Sequence, residues 1–172
     1  MKLKYIFIFG WLISSCSSMH STVIHEETLK EVELNAESIV AGQTLYVPVY
    51  SQIYHFKSKE YAVNLSATLS IRNTDLSNSI IITSVLYYDA NGRLIRRYIE
   101  KPVELKSLAS TSFFVTEEDR SGGTGANFIV EWAAETTVSE PVIEAVMIGT
   151  SSAQGISFIS SGKVLKQRNS AD

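Results

Sequence analysis

The sequence predicts an all-β fold: an immunoglobulin-like antiparallel β-sandwich of about eight strands, with a small closed β-barrel as the runner-up. Three observations carry this. Apolar and polar residues alternate from Gly42 onward. Val63, Leu65, Ala67, Leu69 and Ile71 interleave with Asn64, Ser66, Thr68, Ser70 and Arg72, the pattern of a half-buried antiparallel strand. Turn residues at Gly92, Pro102, Gly122-Gly123, Pro141 and Gly155 cut the chain into short segments, as a sandwich or barrel requires. No segment longer than about ten residues carries an apolar stripe at helical spacing.

Composition sets the outer bounds. The chain has 172 residues, 45% of them hydrophobic and 19% charged. That is one domain with a packed core, not a disordered chain. Fifteen Lys and Arg against eighteen Asp and Glu give a net charge of -3, which lacks the basic footprint of a nucleic-acid binder. A single cysteine excludes an intrachain disulfide framework and a zinc ribbon.

The elements follow in chain order. Lys2 and Lys4 precede an apolar run from Tyr5 to Ile13, too short to span a bilayer as a helix of about 20 residues. It fits the apolar region of a signal peptide over residues 1–15. The run ends in Ile13-Ser14-Ser15-Cys16, which resembles the lipobox of bacterial lipoproteins. That resemblance implies cleavage before Cys16, a diacylglyceryl group on its Sγ and frequent acylation of the new amino group. The membrane is then a partner through the lipid anchor, and the expected location is the cell envelope, on the periplasmic side. Ser17 follows the cysteine where an inner-membrane retention signal often has Asp, which favours the outer membrane in a Gram-negative cell. Removing Lys2 and Lys4 leaves thirteen basic and eighteen acidic residues, a mature net charge of -5.

Residues 16–41 read as an acidic tether. Glu26, Glu27, Glu31, Glu33 and Glu37 face a single Lys30 across 24–37, and a short helix over 26–34 is the alternative to a solvated spacer. His20 and His25 have no carboxylate or thiol partner at metal-ligand spacing. The domain proper spans 42–165. Strands are expected at 44–50, 63–72, 80–88, 93–99, 102–105, 110–116, 127–134, 142–149 and 155–160. The run 80–88 is rich in β-branched and aromatic residues and reads as buried on both faces. Asp89-Ala90-Asn91-Gly92 supplies the turn of a hairpin over 80–99. In 127–134, Phe128, Val130, Trp132 and Ala134 share one face, with Trp132 as the core aromatic. Residues 166–172 read as a loose polar tail.

Two surfaces are candidate sites. Tyr46, Tyr50, Tyr54, His55 and Phe56 crowd together, with Tyr61 close behind. Tyr46, Pro48 and Tyr50 share one strand face opposite Leu45, Val47 and Val49. A proline in a strand points to an edge or bulge, and an edge with protruding tyrosines can take a protein or envelope-polymer partner; core packing accounts for the same residues. The second candidate is the loop 117–127, with Glu117, Glu118, Asp119, Gly122, Gly123, Gly125 and Asn127. Its carboxylates and carbonyls could gather a hard cation or another ligand, in an accessory role to a hydrolase or transporter; the alternative is a wide turn that needs glycine. Ala126-Asn127 lead into a strand rather than a P-loop helix, so no nucleotide and no other cofactor is expected. No Gly-x-Ser-x-Gly elbow occurs, and lipidation would consume the one cysteine, so no catalytic residue is assigned. Arg93, Arg96 and Arg97 on one hairpin strand read as surface charge or a weak anion site.

The strands in order are GQTLYVPVY (42–50), LSATLSIRNTD (65–75), TSVLYYD (83–89), SGGTGANF (121–128), PVIEAVMIGT (141–150) and GISF (155–158). They resemble a family of bacterial lipoproteins and exported proteins called domain of unknown function 3124. The resemblance spans about 42–162. It implies an exported, membrane-tethered β domain and brings no catalytic residue with it.

Overall fold

The computed structural model describes residues 29–55, 57–150 and 155–169. In chain order the strands are β1 (Lys30–Glu31), β2 (Ala41–Pro48), β3 (Gln52–Tyr54), β4 (Ala62–Asn64), β5 (Ser66–Arg72), β6 (Ile80–Tyr88), β7 (Leu94–Arg97), β8 (Val103–Leu105), β9 (Ser110–Val115), β10 (Asn127–Ala134), β11 (Val142–Gly149), β12 (Ile156–Ser161) and β13 (Lys163–Asn169). A seven-stranded sheet runs β1-β8-β6-β10-β2-β13, with β7 also on β6, and a four-stranded sheet runs β12-β11-β5-β9. All pairs are antiparallel. Neither sheet closes on itself, so the fold is a β-sandwich and the barrel alternative falls.

The alternation explains the packing. Ala67, Leu69 and Ile71 from β5, Leu65 just before it, Ile143, Ala145 and Met147 from β11, and Phe128, Val130, Trp132 and Ala134 from β10 join one buried cluster with Leu45, Val47 and Tyr87. Each apolar face is hidden against the other sheet, and the intervening residues lie outside. Trp132 is buried as expected, but Tyr87 and Phe128 are the largest fully buried side chains.

Both edges of the sandwich are sealed across the sheets. On one side, residues 156–169 run as β12 in the small sheet, turn at Gly162, and continue as β13 in the large sheet. A Cβ at Gly162 would meet Ile143 O at 3.0 Å and Leu45 Cδ2 at 3.2 Å, so the corner passes tightly over the core. On the other side, Tyr98 Oη donates to Phe114 O (2.9 Å) and Arg96 pairs with Asp119 (2.8 Å).

Several expectations need correction. The polar tail 166–172 is not loose up to residue 169, because Lys163–Asn169 is a strand paired with β2. Main-chain pairing does not need apolar side chains, and an edge strand exposed to water accepts Lys and Arg. It follows that β2 is not an edge. Pro48 is tolerated because it is the last residue of β2, beyond the point where pairing with β13 begins at Tyr46. Part of the stretch 16–41, expected as an acidic tether, is held on the domain. Lys30–Glu31 pair with β8, Val32 N donates to Pro102 O (2.9 Å), and Asn35 Oδ1 caps a 3₁₀ turn over Ala36–Ser38. The helix considered for 26–34 is therefore not formed at 30–31; residues before 29 lie outside the described part. Strand 63–72 breaks at Leu65, and β4 turns aside to pair with β3. Finally, β6 is not buried on both faces: Ile80, Ile82, Val85 and Tyr87 point inward, while Ile81, Thr83, Leu86 and Tyr88 are half-buried. A bulge switches the parity, since Ile82 faces Trp132 and Ser84 faces Glu131, leaving Thr83 extra. β-branched residues suit either face of a pleated sheet, so their density does not report two-sided burial.

Two predictions follow from the backbone. Gly162→Val should lower stability by about 1–3 kcal/mol, the usual cost of overpacking, read from urea unfolding. Leu108 has φ 58 and an exposed side chain, a conformation that costs an L residue about 1–2 kcal/mol. Leu108→Gly should therefore raise the unfolding midpoint, and a lower midpoint would contradict this account.

Candidate functional site

The residues singled out in the sequence, where described, gather at one end of the sandwich. β2 runs from the level of β1 at Gln43 to Pro48, and the chain continues through Tyr50 and Ser51 into the β3–β4 ribbon. The ribbon is a separate two-stranded sheet that projects beyond the main strands. Eight residues of β2 at about 3.3 Å each put roughly 26 Å between the two ends of the sheet.

The aromatic cluster divides along this path. Tyr46 is half-buried on the outer face of β2. Tyr50 stands edge-on to Phe158, with ring centroids 5.8 Å apart. Tyr54 and Tyr61, on the ribbon, are 52% and 58% exposed. His55 is also exposed, and its N–H donates to Tyr61 O (2.7 Å), closing the ribbon. Lys59 Nζ lies 5.9 Å from the centre of the Tyr54 ring, and Lys57 is exposed beside it. Phe56, like the proposed lipid site Cys16, lies outside the described residues.

The glycine loop is close by and is bonded internally. Gly122 is buried against a buried pair, Ser51 Oγ and Tyr87 Oη, 2.7 Å apart. A Cβ at Gly122 would come 2.0 Å from Tyr87 Oη and 2.6 Å from Ser51 Oγ, so only glycine lets the main chain cross there. Gly122 O accepts from Ala90 N (3.1 Å) and Gly123 O from Ser51 N (3.0 Å). Gly123 has φ 69, and Gly125 packs against Ala90. Asn127 starts β10 opposite Tyr88 and Pro48. Both oxygens of Asp119 are taken by protein donors, one by Arg96 (2.8 Å), the other by the Ser121 N–H (3.1 Å) and hydroxyl. Glu117 is half-buried and Glu118 exposed. Among the described residues, no three His, Cys, Asp or Glu side chains converge as metal ligands. The arginines do not form one site either: Arg93 pairs with Asp89 (2.9 Å) and Arg96 with Asp119. Arg120 reaches the side-chain amide of Asn64 on the ribbon at 3.0 and 3.2 Å, where a guanidinium, having only donors, requires the amide turned with its oxygen toward it.

Electrostatics at this end follow from these contacts. Burial pushes the Tyr87 phenol up, against its hydrogen bond with Ser51. Burial would also raise Asp119, but the Ser121 donors and Arg96 outweigh it and hold the carboxyl below its ordinary value. The Arg93 N–H, followed by its guanidinium and the Asn91 N–H, lowers Asp89 against a smaller effect of burial.

The family model for a protein of unknown function, DUF3124, matches residues 42–165. The chain belongs to the DUF3124 family. No match was found among curated proteins. Among solved structures, the crystal structure of Thermotoga maritima 1070 aligns at 11% identity with a TM-score of 0.44, covering 70% of this chain and 92% of that one.

Sequence reasoning missed two polar centres of this DUF3124 domain. One is the Ser51–Tyr87–Gly122 contact. The other lies at the opposite end, where buried Asn73 Nδ2 donates to Asn78 O, Leu105 O and Lys106 O. There Asp75 accepts the N–H groups of Ser139, Ser77 and Asn78, which lower its pKa. The signal was present as Asn73-Thr74-Asp75-Leu76-Ser77-Asn78, a run rich in side chains that bond nearby main chain.

Gly122→Ala should destabilise the domain by about 1–3 kcal/mol and shift the Tyr87 hydroxyl resonance. A mutant as stable as wild type would refute the close contact. Acid should act through Asp75, Asp89 and Asp119, all lowered from 3.8. Their folded forms favour charge, so their contribution is full above that ordinary value and is lost as pH falls below it. The thermal midpoint should hold near neutrality and decline in strong acid, with a shallower decline in Asp75→Asn.

Proposed function

We propose that this protein is a non-enzymatic, lipid-anchored envelope protein whose β-sandwich holds an interaction surface for a protein or envelope polymer on the β3–β4 ribbon. The observation that carries the reading is the placement of Tyr54 and Tyr61, more than half exposed, on a ribbon at the end opposite β1. Large aromatic side chains lose little conformational entropy on binding and bury much area, so they serve as anchors. Lys57 and Lys59 beside them supply polar contacts at the rim of such a surface. The loop 117–125 then has a supporting role: it fixes Ser51 and Asn64 at the base of the ribbon.

Two measurements test this. Crosslinking in intact cells should recover a partner with the wild type and lose it in Tyr54→Ser/Tyr61→Ser, while the thermal midpoint changes little. Equal recovery by the double variant would refute the ribbon as the surface. A radioactive fatty acid should label the wild type and not Cys16→Ser; persistent label on the variant would refute the anchor.

A further inference from the structure

Residues 34–39 cross the outer face of the large sheet at the end where β1 lies, and a cleft of about 350 Å³ opens beside them. That volume falls within the roughly 300–1,000 Å³ of small-molecule sites. Its floor is Gly42 and Ala133, directly opposite each other across β2 and β10. The neighbouring rows on this face carry larger pairs: Thr44 with Glu131, and Tyr46 with Ile129. Ala133 is 5% exposed yet stands outside the cluster between the sheets. Leu34 and Ile39 line the cleft as apolar walls.

β13 brings positive charge to the same place. Arg168 pairs with Gly42 and Lys166 with Thr44, and residues two apart in a strand point to one face. Arg168 Nη2 donates to Ala36 O (3.1 Å), which ties down the crossing segment. Lys166 makes no ion pair among the described residues. Glu131 is the one acidic lining residue, and Thr44 Oγ1 is 3.5 Å from it. The three strands are clamped side by side: Trp132 Nε1 donates to Gln43 Oε1 (3.1 Å) and Gln43 Nε2 to Gln167 Oε1 (2.9 Å). A site on strands locked in this way is preorganised.

We propose that this cleft binds an amphiphilic anion, with its apolar body on Gly42 and Ala133 between Leu34 and Ile39 and its anionic head at Lys166. The apolar floor and walls gain by shedding water. Two cations against one carboxylate leave a net positive rim, which selects a carboxylate, sulfonate or phosphate head over a cation. This inference is independent of the ribbon and of the anchor.

The test uses two fluorescent probes on the full chain: anilinonaphthalenesulfonate, and N-phenylnaphthylamine, which has the same apolar body without the sulfonate. The wild type should bind the sulfonate saturably, one to one. Ala133→Leu fills the floor and should abolish binding of both probes. Leu34→Ser, outside the strands, should also weaken both, which guards against a misfolded Ala133→Leu. Lys166→Gln should weaken the sulfonate about tenfold and leave the neutral probe within about twofold. Leu94→Ser, exposed on β7 and outside the cleft, should change nothing. Absence of saturable binding, undiminished binding in Leu34→Ser, or equal effects of Lys166→Gln on both probes would overturn the proposal.

Discussion

The far end of the sandwich depends on one phenol. Tyr87 is fully buried, and a buried hydroxyl without a partner costs about 1–3 kcal/mol. Ser51 supplies the partner and is itself buried. That pins the chain where it leaves β2 for the ribbon. Gly122 passes over the pair because it has no side chain, and the carbonyls of Gly122 and Gly123 then reach Ala90 and Ser51. The hairpin turn, the glycine loop and the ribbon base are thereby held around one oxygen–oxygen contact. The exposed tyrosines stand on a base that the core itself positions.

The opposite end is held by polar groups as well, but through carboxamide and carboxylate. Asn73 and Asp75 are both buried, and together they bond residues from three connections, 73–79, 105–106 and 139. Such groups stabilise only when satisfied, and no buried side-chain nitrogen or oxygen among the described residues lacks a partner. Each end is thus held by a satisfied polar centre, with the apolar cluster between them.

What the sequence revealed follows from what alternation can encode. β5 and β10 were legible because each buries one face, and burial forces period two. β13 was not legible, because its role is main-chain pairing along an edge and its side chains are exposed. The bulge at Thr83 was hidden because isoleucine, valine and tyrosine suit both faces. At the candidate site, the aromatic cluster was visible as a local concentration. Its division into Tyr46 on β2, exposed Tyr50 just beyond that strand, and ribbon-borne Tyr54 and Tyr61 was not, because that depends on where β4 leaves β5. Contacts between distant residues were beyond reach for the same reason: Ser51 meets Tyr87 36 positions away, and Arg96 meets Asp119 23 positions away.

The treatment of the edges bears on how the molecule can meet partners. β13 carries Lys163, Lys166 and Arg168 and a bulge between Val164 and Lys166, devices that discourage strand addition. β1 has two residues, each in an ion pair, Lys30 with Glu104 and Glu31 with Lys101. β9 has its Phe114 carbonyl covered by Tyr98. The guarding covers β13, β1 and β9; β12, the other outer strand of the small sheet, carries no charged residue and exposes Ile159. On the proposed reading, Tyr54 and Tyr61 of the ribbon meet a partner through their side chains, because the guarded edges β13, β1 and β9 oppose the addition of a strand.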